Sequence, residues 1–255
     1  MKINTHRIQF LNTWVDNLTA AEAKDVVDQY IQSGGNHYVV TPNTDIIVKM
    51  QDDPELKRIC EKADLILTDG QIVVKLSKWL RNPIKERVCM TDFVWNVCDL
   101  ADERGYKIFL FGGKEDVLAR ATVNIQKRYP RLNIVDSYSP PFGFEQDKGE
   151  LEKANERIRK SGADILIVFL GCPKQEKFIA ANKDKYKVPI SFTMGGCVDF
   201  IAGSVQRAPL WMQNVGLEWF YRFLQEPRRM FRRYFIDDMK IFGMAVRGKR
   251  RNKAR

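Results

Sequence analysis

Apolar runs alternate along this chain with segments whose apolar residues recur every three or four positions. The runs predict buried strands, because a strand covered on both faces is apolar without interruption. The periodic segments predict amphipathic helices. The predicted strands cover residues 37–41, 63–68, 107–111, 164–170 and 190–194, and the predicted helices cover residues 20–33, 44–51, 72–80, 91–104, 114–129, 149–161 and 174–182.

This alternation predicts an α/β fold, a Rossmann-like and mostly parallel sheet with helices on both faces. In such sheets ligands bind beyond the carboxyl ends of the strands. Candidate site residues are therefore expected in the loops that follow the strands.

The pattern changes at about Gln206, after which no strand-like run occurs and aromatic residues and arginines become frequent. Pro227 favours the start of a helix there, since the first helical position needs no N–H. The apolar positions that follow fall on one helical stripe: Phe231, Phe235, Met239, Phe242 and Val246. We therefore predict a catalytic α/β domain over residues 1–206 and a basic, aromatic-rich helical appendage over residues 207–255.

The formal net charge of +10 lies almost entirely in this appendage. Residues 207–255 contain 13 Lys and Arg against 4 Asp and Glu, which leaves the preceding 206 residues nearly neutral. A basic tail on a neutral body is typical of proteins that bind nucleic acid, anionic lipid or a polyphosphate.

Cysteine usage and the start of the chain bear on location. The five cysteines form no C-x-x-C pair and only two histidines are present, so neither a zinc site nor a disulfide framework is expected. Residues 1–10 have no apolar signal-peptide core, and no run of eighteen apolar residues occurs. A cytoplasmic location is therefore expected.

Two strand ends carry polar groups that suit a cleft. Thr41 and Asn43 follow the first predicted strand, where they either cap the next helix or bind a polyhydroxyl ligand. Asp69 follows the second strand and precedes Gly70. Its carboxylate either caps the helix over residues 72–80 or acts as a general base towards an acceptor hydroxyl.

Three further strand ends combine glycines with polar side chains. Gly112 and Gly113 form a turn through which backbone and helix N–H groups can approach a phosphate. Lys174 and Gln175 are expected to project from a helix start toward the same cleft, and Asp199 follows another glycine pair. Together the five strand ends predict a cleft for a nucleotide-bearing ligand.

Eight motifs in fixed order carry a resemblance over about residues 37–233. They are TPNTDIIVKM (41–50), TDG (68–70), ERVCMTDF (86–93), FLFGG (109–113), SPPFGF (139–144), GCPKQE (171–176), GGCVDFIAG (195–203) and RAPLWMQNVGLEWFYRFLQEPRR (207–229). In these motifs the chain resembles the WecG/TagA/CpsF glycosyltransferases.

The resemblance implies an inverting, metal-independent transfer of a sugar from a UDP donor to an undecaprenyl-diphosphate-linked sugar. The sugar is expected to be N-acetylmannosamine, its uronic acid or another hexose, used for teichoic acid or another surface polysaccharide. The UDP-sugar is a substrate, and no cofactor is expected. The implied partners are the donor, the lipid-linked acceptor and an anionic membrane surface on the inner face of the bacterial plasma membrane, with no nucleic acid and with homo-oligomers possible.

The resemblance also assigns roles to single residues. Asp69 matches the catalytic base, and Thr41 and Asn43 match the acceptor side of the pocket. Residues matching the surroundings of the UDP donor are Arg87, Gln175, Asp199 and Phe142, the last facing the uracil. Arg222, Arg229 and Arg232 match arginines of the appendage, which closes over the pocket at the membrane. Arg222 is our candidate for stabilising the leaving diphosphate.

Two positions depart from the family pattern: Cys89-Met90, where a small residue and a glycine are usual, and Cys197, where a small residue without a thiol is commoner. Both positions lie near the expected cleft, so they concern the identity of the donor sugar more than the type of reaction.

Three alternatives remain on the sequence alone. The first is a basic-tailed nucleic-acid-binding α/β protein. The tail aromatics argue against it, because they fall on a helical stripe rather than on an exposed sheet. The second is a nucleotide-binding α/β enzyme of another class, such as an oxidoreductase, and the missing G-x-G-x-x-G fingerprint argues against it. The third is a membrane adaptor with an inactive site.

Overall fold

The computed structural model of the chain describes residues 3–253, with the side chains of Asn214, Arg229 and residues 251–253 left out of the description. A small antiparallel hairpin comes first, formed by β1 (Arg7–Phe10) and β2 (Thr13–Asp16). The strands of the main sheet are β3 (His37–Val40), β4 (Leu65–Ile66), β5 (Lys107–Gly112), β6 (Asn133–Tyr138), β7 (Ile165–Phe169) and β8 (Ile190–Thr193).

Helices connect these strands and complete the chain. In the first part they are α1 (Ala20–Ser33), α2 (Thr44–Asp52), α3 (Pro54–Lys62), α4 (Gln71–Trp79), α5 (Met90–Arg104), α6 (Glu115–Arg128), α7 (Lys148–Ser161), α8 (Lys174–Tyr186) and α9 (Cys197–Ile201). The C-terminal segment, residues 207–253, contains α10 (Leu210–Val215), α11 (Glu218–Gln225), α12 (Pro227–Arg232), a π-helical turn (Arg233–Asp237) and α13 (Lys240–Lys253).

Within residues 3–253 the main sheet has six strands in the order β4-β3-β8-β7-β5-β6, and every pairing is parallel. Helices cover both faces of the sheet. Side chains alternate between the two faces along each strand, so neighbouring residues of one strand pack against different helices. On β5, Leu110 packs with α1, α5 and α6, whereas Phe109 and Phe111 pack with α2, α7 and α8. The predicted Rossmann-like fold class is confirmed. The parallel pairing brings all six carboxyl ends to one edge.

All the predicted strands and helices are present, and five elements were missed. The missed elements are β1, β2, α3, β6 and α9. The strand predicted over 63–68 is confined to Leu65–Ile66, and the helix predicted over 174–182 continues to Tyr186.

The C-terminal segment packs on the sheet domain through α13. Ile241 is fully buried in the core that also contains α2 and α8, and Gln51 Nε2 of α2 lies 2.7 Å from Met244 Sδ. The apolar side chains predicted to form one stripe are 42–55% exposed. The interpretation of a single helical stripe is wrong, since the π-helical turn and residues 238–239 interrupt the helix.

Among the helices that the structure describes, none combines the length and apolar character needed to cross a membrane.

Candidate active site

A cavity of about 420 Å³ lies between the carboxyl edge of the sheet and the C-terminal segment. The sheet domain and the C-terminal segment both contribute to its wall. Its charged and amide-bearing side chains include Asn43, Asp45, Asp69, Lys75, Arg87, Glu218, Arg222, Arg233 and Asp238. Its apolar and aromatic side chains include Ile72, Phe200, Trp219, Tyr234, Phe235, Met239 and Phe242. Polar groups converging in a largely apolar cleft are typical of a ligand site.

Asp69 lies in this cavity just beyond β4. It does not cap the following helix: Gly70 is the N-cap residue of α4 and no side chain hydrogen-bonds there. Asp69 Oδ2 instead accepts a hydrogen bond from the backbone N–H of Met90, over 3.3 Å. Burial raises the pKa of the Asp69 carboxyl, and the neighbouring Arg87 cation opposes this increase. A carboxylate with a raised pKa is a stronger base, as general-base catalysis requires.

Arg87 ties this region to the C-terminal segment. Its Nη1 donates to Glu218 Oε2 over 3.1 Å, and both side chains are about one-fifth to one-quarter exposed. Glu218 Oε1 accepts from Arg207 Nε over 3.3 Å, and Arg207 Nη2 donates to Asp92 Oδ2 over 2.6 Å. The start of α11 is therefore held against α5 and the loop before it by alternating charges.

Asn43 lines the cavity and caps α2, with its Oδ1 accepting from the N–H of Ile46 over 3.1 Å. Its capping interpretation is confirmed, and the side chain also faces the cavity. Thr41 is buried behind it, and its Oγ1 donates to the carbonyl of Thr193 over 3.3 Å, which joins β3 to β8. Thr41 therefore supports the cavity wall from behind.

Arg222 of α11 reaches the glycine turn that follows β8. Its guanidinium carbon lies 5.3 Å from the ring centre of Phe200, and its Nε lies 3.7 Å from Glu226 Oε2. A Cβ added at Gly196 would lie 3.5 Å from Arg222 Nη2 and 3.8 Å from Asp199 Oδ2. Gly196 therefore leaves room for a cation from the C-terminal segment beside a carboxylate of the sheet domain.

The other predicted donor-side residues lie along the same edge, outside the lining of this cavity. Gly112 has φ +97°, and a Cβ there would come within 2.9 Å of Leu170 Cδ2, so packing against β7 requires the glycine. Gly113 has φ +77°, and its carbonyl accepts from Ser139 Oγ over 2.6 Å.

Gln175, predicted to project into the cleft, is buried and bonded within the protein. Its Oε1 accepts from the N–H of Gly195 over 2.9 Å, and its Nε2 donates to Glu176 Oε1 over 2.9 Å. The side chain thereby links the start of α8 to the glycine turn after β8. Its amide oxygen holds the turn that carries Asp199.

Phe142 and Lys174 form an exposed pair at the far end of this edge. The Phe142 ring is fully exposed, and Lys174 Nζ lies 4.8 Å from the ring centre. Lys174 is also ion-paired with Glu145. An exposed aromatic ring stacked only by a lysine is open for a planar ligand group on its free face.

The predicted arginines of the C-terminal segment divide into three cases. Arg222 lines the cavity. Arg232 does not: its side chain is 82% exposed, and its Nε lies 3.8 Å from Asp237 Oδ2. The side chain of Arg229 lies outside the described part of the chain, as do residues 254–255 of the basic tail. The role of Arg229 at the pocket therefore stays a prediction.

Sequence reasoning missed Arg233 and Asp238, which line the cavity. No signal in the sequence separated Arg233 from its neighbour Arg232. Among residues 3–253, no group of three or more His, Cys, Asp and Glu side chains is placed to hold a metal ion.

Comparisons with known proteins agree with the motifs. A profile of the Glycosyl transferase WecG/TagA/CpsF family matches residues 8–255. An N-acetylglucosaminyldiphosphoundecaprenol N-acetyl-beta-D-mannosaminyltransferase of Bacillus subtilis (strain 168) is 31% identical over 88% of this chain and 84% of that protein. The protein of the same name from Staphylococcus aureus (strain MW2) is 27% identical over 90% of this chain and 89% of that protein.

These matches cover the sheet domain and the C-terminal segment together, and they favour glycosyl transfer over the nucleic-acid and oxidoreductase interpretations. The chain belongs to the WecG/TagA/CpsF family of glycosyltransferases.

Proposed function

We propose that this protein transfers a hexose from a UDP-sugar to a sugar linked through a diphosphate to undecaprenol. N-acetylmannosamine is the first candidate for the hexose, and N-acetylglucosamine for the acceptor sugar, because the relatives' names specify both. The observation that supports this most directly is the convergence of Asp69 with Arg87 and Arg222 on one cavity.

In the proposed reaction Asp69 removes the proton from the acceptor hydroxyl. The hydroxyl oxygen then attacks the anomeric carbon of the donor sugar, and the bond from that carbon to the UDP oxygen breaks. The bonding electrons leave with UDP, and attack from the opposite face inverts the anomeric configuration. The raised pKa of Asp69 suits it to accept this proton.

The leaving diphosphate needs positive charge, which we assign to arginines rather than to a resident metal ion. Arg222 stands beside the glycine turn after β8, and Arg87 stands beside Asp69. Guanidinium groups donate paired hydrogen bonds to phosphate oxygens, and they act more strongly where water is excluded. Phe142, with one open face, is the proposed platform for the uracil ring.

The C-terminal segment is the proposed contact with the membrane. Large apolar side chains there are 42–74% exposed at Leu210, Trp211, Val215, Leu224, Phe231, Phe235, Ile236, Met239, Phe242 and Val246. Exposed arginines such as Arg228 and Arg232 lie among them. An apolar surface with a basic rim suits the interface of an anionic membrane, where each basic residue contributes about 1 kcal/mol.

A substrate panel tests the proposed function. The full chain is incubated with individual UDP-sugars and a short-chain polyprenyl-diphosphate N-acetylglucosamine, and released UDP is measured with and without the acceptor. We expect acceptor-dependent UDP release and a disaccharide product whose anomeric configuration is inverted. The proposal fails if none of the UDP-sugars gives acceptor-dependent release.

A further inference from the structure

The π-helical turn in the C-terminal segment brings two charged side chains to the cavity wall. Residues five apart in an α-helix are about 140° apart around the axis, given 3.6 residues per turn. Here the N–H of Asp238 donates to the carbonyl of Arg233 over 2.8 Å, the i to i+5 bond of a π-helix. Arg233 and Asp238 consequently both line the cavity. Single π-helical turns of this kind are frequent at functional sites.

Both side chains keep a polar atom without a hydrogen bond. Within residues 3–253, Arg233 Nε and Asp238 Oδ1 are buried and find no hydrogen-bond partner. Asp238 is only 8% exposed. A buried carboxylate oxygen without a donor costs stability. Its presence in a cavity wall indicates that a bound ligand supplies the missing donor.

The charged groups around the pair do not supply the missing hydrogen bonds. Arg233 Nη2 lies 3.8 Å from Asp45 Oδ2, and Asp45 is already bonded by Lys49 over 2.9 Å. The remaining carboxylate near Asp238 is Asp237, whose Oδ2 faces Arg232 and whose Oδ1 lies 3.9 Å from Lys240. The wall therefore presents one unmet cationic donor beside one unmet anionic acceptor.

This combination matches a ligand that carries an anion next to an N–H or O–H donor, as a sugar 1-diphosphate does. Both proposed substrates contain that unit. The same wall holds Phe235, Met239 and Phe242, which line the cavity and are 42–52% exposed. The cavity therefore opens beside an apolar surface, which suits a polyprenyl chain and favours the acceptor over the water-soluble donor.

We propose that Arg233 and Asp238 recognise the diphosphate-linked sugar of the lipid acceptor, a role that rests on the proposed function. Arg233 Nε donates to a phosphate oxygen. Asp238 Oδ1 accepts from an amide N–H or a hydroxyl of the first sugar. The two residues act in binding and orienting the acceptor, whereas Asp69 remains the base.

Steady-state kinetics of the full chain test this assignment. Asp238→Asn and Arg233→Gln are compared with wild type in two series. In the first the short-chain acceptor is varied at saturating donor, and in the second the donor is varied at saturating acceptor. Loss of a hydrogen bond to a charged group predicts an increase in acceptor KM of about 10-fold or more, with donor KM changed less than about 2-fold. Asp237→Asn, which removes the adjacent carboxylate outside the cavity, is the matched control and should leave both KM values near wild type.

Equilibrium binding separates recognition from turnover and folding. Binding of the same acceptor by titration calorimetry should weaken in parallel with KM, and Arg233→Lys, which keeps the charge but not the guanidinium, should weaken it too. Thermal unfolding checks that each variant is folded. Unchanged acceptor KM and affinity in folded variants would overturn the assignment, and a selective rise in donor KM would reassign the pair to the UDP-sugar. Absence of any transfer by wild type would instead refute the proposed function.

Discussion

Arg87 and Glu218 form an ion pair, with 3.1 Å between Nη1 and Oε2, that joins the loop before α5 to the start of α11. The pair crosses from the sheet domain to the C-terminal segment at the cavity wall, beside Asp69. It couples the position of the segment to the electrostatics of the proposed base, because Arg87 lowers the pKa of Asp69 and Glu218 raises it.

Replacing Glu218 by Gln should therefore weaken the packing of the C-terminal segment on the sheet domain and change the pH dependence of kcat/KM. Two arginines lose their carboxylate, and since Glu218 is about one-quarter exposed the stability loss should be about 1 kcal/mol. Removing its negative charge should lower the pKa of Asp69 and move the acid limb of kcat/KM to lower pH. Thermal unfolding and a pH–rate profile measure the two effects. Glu115→Gln, on the exposed face of α6, is the control, and an unshifted acid limb would contradict the coupling.

Replacing Asp69 by Asn should abolish general-base catalysis without removing the donor site. Loss of a positioned base typically costs about 10²- to 10⁴-fold in rate, and we expect a decrease in kcat of that order. UDP affinity, measured by calorimetry, should stay near wild type, because the proposed diphosphate contacts are arginines. Near-normal turnover by the variant would refute the assignment of Asp69 as the base.

The pH dependence of wild type gives a separate test of Asp69. Burial raises its pKa above the ordinary 3.8, so the carboxyl is protonated, and unable to accept a proton, at a higher pH than a surface aspartate would be. Activity should therefore fall as the pH decreases through this raised pKa. The profile of kcat/KM should show an acid-side ionisation above 3.8 that persists in the Asp238→Asn variant. A profile that stays flat down to pH 3.8 would contradict this prediction.

Much of this site could be predicted from the sequence, because strand ends and sheet topology follow from local patterns. Asp69 was singled out by its place after a buried strand. Whether it caps a helix could not be decided, since Gly70 and Asp69 are both acceptable N-cap residues. The structure decides it, because α4 begins after Gly70 and the Asp69 carboxylate accepts from Met90.

Other features depend on geometry that leaves no local signal. The β1–β2 hairpin was missed because its two-residue turn, Leu11–Asn12, lacks the usual Asn-Gly pattern and places Leu11 at φ +51°. That Arg233 and Asp238 both line the cavity depends on one i to i+5 hydrogen bond, which side-chain periodicity does not predict.

Asp238 should cost the protein stability at neutral pH. Burial raises its pKa from 3.8 to about 6, with Arg233 and Lys49 opposing this increase and Asp45 and Asp237 adding to it. The folded state thus binds a proton more readily than the unfolded state, and stability decreases as the pH rises from about 4 to about 6. Asp238→Asn should be more stable than wild type at pH 7.5 by up to about 3 kcal/mol, and equally stable near pH 4. Urea unfolding at the two pH values measures this. Equal stabilities at pH 7.5 would show that Asp238 is adequately paired without a ligand.

The apolar surface of the C-terminal segment should determine membrane binding separately from catalysis. Phe231 and Ile236 are 55% and 53% exposed and lie outside the cavity lining, so replacing both by Ser should leave the site intact. Each side chain contributes about 1 kcal/mol or more on entering a bilayer interface, so the double variant should bind anionic vesicles at least about 10-fold more weakly. Vesicle flotation measures binding, and turnover of a short-chain acceptor in detergent should remain near wild type. Val123→Ser, an equally exposed apolar position on α6, is the matched control. Wild-type flotation by the Phe231 and Ile236 double variant would remove this surface from the proposed membrane contact.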